Sequence, residues 1–277
     1  MDVLETVPPF VSAAELHRLP GVVVLADVRW YLDGRSGREA YDRGHLPDAV
    51  FVDLERWLSA AATPAAGRHP LPSPEVFAEG MRTLGVADDD IVVAYDDQGG
   101  VIAARLVWML RVTGHRAALL DGGLATHSGD LSTTTPIRTR SAFTVREWPE
   151  AKLAGVDDLV HEDAIAVDAR ARERFVGGED PVDPRPGHVP GARSVPCRDN
   201  VDADGFLVAD EGIREGFATA GVTADTVDRV IAYCGSGVTA CHNLLTMEHL
   251  GIGRARLFVG GWSAYSRDPE RQVETGP

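Results

Sequence analysis

Lysine is nearly missing from this chain. Lys152 is the sole lysine, and the 27 basic residues face 42 acidic ones, a formal net charge of −15. A protein so short of positive charge lacks the electrostatic footprint of a nucleic-acid or anionic-membrane partner. Apart from Lys152 the positive charge is arginine, whose planar fork suits carboxylates, although a compositional bias of the source genome is the simpler cause. Cysteine is scarce too: Cys197, Cys234 and Cys241. An odd number at wide spacing excludes a disulfide framework, and no C-x-x-C pair offers a zinc site. A site built on Cys234, Cys241 and His242 fails on geometry, because adjacent helical residues point about 100° apart. We therefore expect no metal and no cofactor. Reduced thiols fit a reducing compartment, so a cytoplasmic location is expected. No apolar run reaches membrane-span length, and no basic region followed by an apolar segment opens the chain.

What is present is a repeat. Val24-Leu25-Ala26-Asp27-Val28-Arg29 resembles Ile165-Ala166-Val167-Asp168-Ala169-Arg170. Gly44-His45-Leu46-Pro47-Asp48-Ala49 matches Gly187-His188-Val189-Pro190-Gly191-Ala192. Leu84-Gly85-Val86 matches Ala220-Gly221-Val222, and Asp121-Gly122-Gly123-Leu124 matches Val259-Gly260-Gly261-Trp262. Four blocks in one order mean a duplicated, domain-sized unit rather than a solenoid. Each unit alternates short apolar strands, such as Ile91 to Tyr95 and Val230 to Tyr233, with helical stretches, such as Pro74 to Leu84 behind Ser73 as N-cap. That alternation predicts an α/β fold, two parallel sheets covered by helices on both faces. The expected boundaries are 1–128 and 153–277, joined by an exposed linker over 129–152.

The chemically loaded stretch is Cys234-Gly235-Ser236-Gly237-Val238-Thr239. A cysteine ends a strand, and a glycine-rich turn leads into a predicted helix with Val238, Cys241, Leu244 and Leu245 on one face. Amides converging at a helix N-terminus favour a thiolate there. A buried, inert cysteine is the bland alternative, but it needs no open cradle. The first unit has Asp96-Asp97-Gln98-Gly99-Gly100 in the same place, without cysteine. One copy alone keeps a nucleophile.

The cysteine loop, the two repeats, the second Gly-His-Val-Pro-Gly-Ala and the C-terminal Gly-Gly-Trp together resemble the tandem-domain rhodanese family, the thiosulfate and 3-mercaptopyruvate sulfurtransferases. The resemblance covers nearly the whole chain. It implies an inactive first domain and a catalytic second one, whose Cys234 takes a sulfane sulfur as a persulfide and passes it to a thiol or cyanide acceptor, a thioredoxin-like protein among the possibilities. A persulfide is an anion of low basicity, and the amides of 235–239 with the Ser236 and Thr239 hydroxyls suit it. Gly235, Gly237, Val238 and Thr239 are thus expected to line the donor site.

The resemblance also bears on the donor, a small anion. Members selective for thiosulfate carry basic residues just after the cysteine, whereas Gly235 and Ser236 resemble the 3-mercaptopyruvate members. A donor carboxylate then needs arginine from elsewhere. Arg174, just before Phe175, matches the family's substrate arginine, and Arg185, two residues before Gly187, stands in for a second. The mercaptopyruvate members carry a serine–histidine–aspartate relay across the domain interface. Ser236 matches its serine and His45 its histidine, while Ser36 occupies the aspartate position, leaving Asp33 or Asp42 to substitute. The expected catalytic set is Cys234, Ser236 and His45, with 3-mercaptopyruvate as donor and thiosulfate as the alternative. A structural histidine is the other reading of both His45 and His188. Two other classes compete. A cysteine phosphatase needs Cys-x5-Arg, and residue 240 is alanine. A non-enzymatic persulfide carrier or binding module would use the same cradle without turnover.

Overall fold

A computed structural model of the chain describes residues 7–178 and 180–277. The chain forms two compact units, and each half of the sequence lends a short segment to the other's unit. The first comprises residues up to Ala60, Pro72–Trp148 and Ala203–Leu207; the second comprises Ala61–Leu71, Pro149–Asp202 and Val208–Pro277.

The first unit holds β1 (Phe10–Val11), β2 (Val23–Asp27), β3 (Val50–Phe51), β4 (Ile91–Tyr95) and β5 (Arg116–Leu120), in the order β1-β5-β4-β2-β3. Every pairing is parallel. β4 is buried at all five positions, as an apolar β-branched run in the middle of a parallel sheet should be. Helices Gly37–Arg43, Pro74–Thr83 and Ala104–Val112 connect the strands. Ser73 caps the middle one by accepting from the Val76 amide, and Pro74 stands in the first turn, where no amide is needed. The second unit holds β6 (Ile165–Asp168), β7 (Arg193–Ser194), β8 (Val230–Tyr233) and β9 (Arg256–Leu257), again all parallel, in the order β7-β6-β8-β9.

The repeated Asp-x-Arg at the strand ends has a common task. Arg29 binds Asp27 and donates to the Gly44 carbonyl at 2.7 Å; Arg170 binds Asp168 and donates to the Gly187 carbonyl at 2.7 Å. Each buried ion pair thereby pins the Gly-His turn beside its sheet. Within the turns, the His45 ring stacks on Tyr41 at 3.8 Å and the His188 ring on Phe175 at 3.6 Å.

Two expectations need revising. The stretch before Trp148 has no regular structure and is largely exposed, as expected, yet it belongs to the first unit and is tied to it at two aromatic anchors. Phe143 is buried against His115 and Phe77, and the Trp148 indole donates to the Pro72 carbonyl. The helix after the cysteine starts at Ala240, two residues later than expected, and residues 240–247 are buried all round. It is a central helix, so a one-sided apolar stripe does not describe it. Among the described residues, no helix is long and apolar enough to cross a membrane.

Candidate active site around Cys234

β8 delivers Cys234 to the end of the sheet, where it is 2% exposed. The loop that follows is pinned from behind by the Gly-Gly-Trp motif. The Trp262 amide donates to the Cys234 carbonyl at 2.7 Å, and the Ser263 amide to the Gly235 carbonyl at 2.8 Å. Two glycines make this approach possible. Gly261 has φ +57°, and a β-carbon there would lie 2.7 Å from the Cys234 carbonyl oxygen. Gly237 has φ +72°, and a β-carbon there would meet the Val259 carbonyl at 2.5 Å. Val238 and Ser236 are buried and Thr239 is half-buried, completing the cradle.

The first unit shows what such a cradle holds. Asp96, matched to Cys234, is fully buried. Its Oδ1 accepts from the amides of Gln98 and Gly100 at 2.7 and 2.8 Å, and its Oδ2 from those of Ile102 and Ala103 at 2.8 and 2.9 Å. Burial pushes its carboxyl pKa up, and the four amides oppose that. A strand-end turn of this kind is an anion cradle, filled in one copy by a carboxylate and in the other by a sulfur residue.

The segment Ala61–Leu71 supplies the residues that sequence reasoning missed. Gly67 has φ +85°, and a β-carbon there would lie 2.4 Å from the Gly260 carbonyl, so the segment lies close against the Gly-Gly turn. The Arg68 amide donates to Ser263 Oγ at 3.0 Å. His69 is 6% exposed, and its Nδ1 lies 2.8 Å from Ser236 Oγ. His45 is not the histidine beside this serine. It is fully buried in the first unit, stacked on Tyr41, with its ring nitrogens 2.9 and 3.2 Å from the carbonyls of Tyr41 and Thr134. His188 mirrors it, with Nδ1 2.8 Å from the Phe175 carbonyl. Matching Gly-His turns pointed to a shared structural duty. His69 had a weaker signal, a Gly-Arg-His-Pro stretch inside a segment that the repeat does not reproduce.

The candidate substrate arginines separate. Arg174 sits at the loop, with Nη1 3.7 Å from the β-carbon position of Gly235; Arg68 Nη2 is 2.8 Å from the same point. Both bind Asp183, whose side chain is 1% exposed, and Arg174 also binds Asp180 at 2.9 Å. Arg185 is committed elsewhere. It donates to the carbonyls of Ser266, Asp268 and Arg271 at 2.7, 2.7 and 2.9 Å, fixing the C-terminal segment. With its donors spent on backbone, it is a poor candidate for a donor carboxylate; the second guanidinium beside the loop is that of Arg68, from a segment where no arginine was expected. The Asp33 and Asp42 carboxylates bind Arg35 and Arg38 on the surface of the first unit, and neither is paired with His45.

A duplicated parallel α/β unit, with a cysteine in an anion cradle in one copy only, defines a class. The rhodanese-like domain matches residues 12–128 and 153–268. The chain belongs to the rhodanese family. It is 40% identical over 267 residues to a Pseudomonas aeruginosa protein named probable 3-mercaptopyruvate sulfurtransferase, covering 93% of each chain. It is 30% identical to thiosulfate/3-mercaptopyruvate sulfurtransferase 1, mitochondrial, of Arabidopsis thaliana, over 98% of this chain and 79% of that one. Its structure matches that of the Escherichia coli 3-mercaptopyruvate sulfotransferase with a TM-score of 0.79 and 32% identity, over 92% of this chain and 99% of the other.

Proposed function

We propose that the protein is a sulfurtransferase that takes sulfur from 3-mercaptopyruvate as a Cys234 persulfide and passes it to a thiol or cyanide, with the second unit catalytic and the first supporting it. The Cys234 thiolate attacks the donor sulfur. The carbon–sulfur bond breaks, its electron pair goes to the pyruvate enolate, and a proton returns to that carbon. An acceptor thiolate then attacks the outer sulfur and releases the Cys234 thiolate. The loop amides and the helix N-terminus stabilise both anions. The paired Ser236 and His69 are placed to carry the proton to the enolate. Gly235, Gly237, Val238 and Thr239 form the wall of the donor site.

The observation that carries this reading is the pair of guanidiniums, Arg68 and Arg174, converging on Gly235 next to the cysteine. They suit a donor carboxylate by bidentate contact, and they make up for a loop without basic residues. The same pair favours thiosulfate as the alternative donor, since two cations suit a dianion; Asp183 between them reduces that advantage. Cys197, Cys234 and Cys241 form no disulfide, which agrees with a reducing setting, and we place the protein in the cytoplasm.

Intact-mass measurement after incubation with each donor tests the reading. The expected result is a gain of one sulfur atom that is absent in Cys234→Ser. No adduct with either donor would overturn it, and loading without turnover toward any thiol would favour a persulfide carrier.

A further inference from the structure

We propose that the second unit carries a binding site for a small, neutral, planar heteroaromatic molecule, separate from the Cys234 loop. The two copies of the fold provide the argument. Phe51 and Ser194 are equivalent by sheet register: Phe51 pairs with Asp27, and Ser194 with Asp168. Six residues later stand Trp57 and Asn200, and the matched Leu-Gly-Val and Ala-Gly-Val blocks make Gly80 equivalent to Gly216.

In the first unit, aromatic rings fill the space beside the edge strand. The Phe51 ring lies 5.5 Å from Tyr41, with the Arg38 guanidinium 5.8 Å from its centre. The Trp57 indole covers Gly80 so closely that a β-carbon would lie 2.9 Å from its ring. In the second unit both rings are replaced by small polar residues. Phe175 stacks on His188 as Tyr41 stacks on His45, and Arg172 precedes it by three residues as Arg38 precedes Tyr41. Nothing lies within 4 Å of the β-carbon position at Gly216. A cavity of about 550 Å³ opens there, lined by Arg172, Phe175, Ser194, Asn200 and Gly216 among others. None of its lining residues belongs to the cysteine loop.

The cavity is of small-molecule size, and its wall names the occupant. An aromatic ring would restore the cation–ring–ring arrangement that Arg38, Phe51 and Tyr41 make in the other copy. The Ser194 hydroxyl has no hydrogen-bond partner in the protein, and rotation about its single side-chain torsion turns it toward the cavity that the residue lines, where a ring heteroatom would satisfy it. The charged lining residues balance, Arg172 and Arg193 against Asp199 and Glu215, which disfavours a charged ligand. Asn200 has turned its carboxamide to Asn243 at 2.9 Å and leaves the space open.

Calorimetric titration of the full chain with indole tests this. The expected result is saturable one-to-one binding, weakened by roughly tenfold or more in Ser194→Phe and in Gly216→Leu. Sulfur loading on Cys234 should stay at the wild-type level in both, which reports folding independently and separates this site from the proposed activity. Ser194→Phe should also raise Tm, by supplying the ring that the other copy has. Absence of saturable indole binding to wild type, or wild-type affinity in a Gly216→Leu protein that still loads sulfur, would overturn the proposal.

Discussion

His69 Nδ1 lies 2.8 Å from Ser236 Oγ, two residues along the loop from Cys234. The bond joins a segment of the first half of the sequence to the cysteine turn of the second, inside one compact unit. A histidine held this way can move a proton through the hydroxyl.

Donor choice then separates proton transfer from positioning. Breaking the carbon–sulfur bond of mercaptopyruvate leaves a carbanion that needs a proton, whereas thiosulfate releases sulfite, which does not. His69→Gln should lower kcat for mercaptopyruvate by about a hundredfold or more and reduce turnover of thiosulfate far less. Single-turnover loading followed by mass measures both. Equal losses with the two donors would show that His69 only supports the loop.

His45 should behave in the opposite way. Its ring is fully buried, stacked on Tyr41 and placed between two carbonyls. Removing it leaves a void and unpaired acceptors, a loss of about 2 kcal/mol. His45→Ala should lower the denaturation midpoint while the folded protein loads sulfur at the wild-type rate. A loading defect at full stability would restore His45 to the chemistry.

Asp183 sets the charge at the mouth of the loop. Its carboxylate lies between Arg68 and Arg174. One charge at ~8 Å in an effective dielectric of about 20 contributes ~2 kcal/mol, and partial exposure of both arginines reduces this. Asp183→Asn should lower KM for both anionic donors, and more for the dianion, moving the kcat/KM ratio toward thiosulfate by about tenfold. An unchanged ratio would mean that Asp183 orients the arginines without tuning their charge.

These residues show what the sequence made legible. The repeat, the parallel α/β units and the cysteine cradle rest on local patterns: apolar runs, glycine turns and matched blocks. Each is decided within some ten residues, so each can be read from one chain. The partner of Ser236 is decided by a segment 167 residues away. That segment has no periodicity, and its place depends on tertiary contacts such as the fit of Gly67 against Gly260. Arg185 illustrates the reverse failure. Its position fits a substrate arginine, and only the fold reveals that its donors serve three backbone carbonyls. The strap over 137–148 is largely exposed and read as a plain connector, because the residues that anchor it, Phe143 and Trp148 above all, are spaced without a period.

That strap should carry a pH signature. Burial, with the nearby Arg146 charge, holds the His115 imidazole below its ordinary pKa, against the pull of Asp88 3.2 Å away. Its other neighbours are Thr113 Oγ1 at 3.0 Å from Nδ1 and the stacked Phe143 ring. The unfolded chain takes up a proton near pH 6.5, while the folded ring resists it. Stability from this group is therefore fully present above that pH and is lost as pH falls below it. Melting curves from pH 8 to pH 5 should fall less steeply for His115→Gln than for wild type. Parallel slopes would place the acid sensitivity elsewhere.

Gly80 and Gly216 occupy the same helical position in the two copies and should respond with opposite signs. Both lie within helices, at ordinary negative φ, where alanine is favoured over glycine by about 1 kcal/mol. At Gly216 nothing stands within 4 Å of the new methyl group, so Gly216→Ala should raise stability by up to that amount. At Gly80 the methyl would lie 2.9 Å from the Trp57 ring and 3.0 Å from the Trp57 β-carbon, at the root of the side chain in the last turn of the helix Leu54–Trp57, where little can give way. Displacing that ring should outweigh the propensity gain, and Gly80→Ala should lose about 1–3 kcal/mol. Urea denaturation of the two variants measures both. Stabilisation at both positions would show that Trp57 yields freely, and that the ring-filled first copy is no template for the cavity in the second.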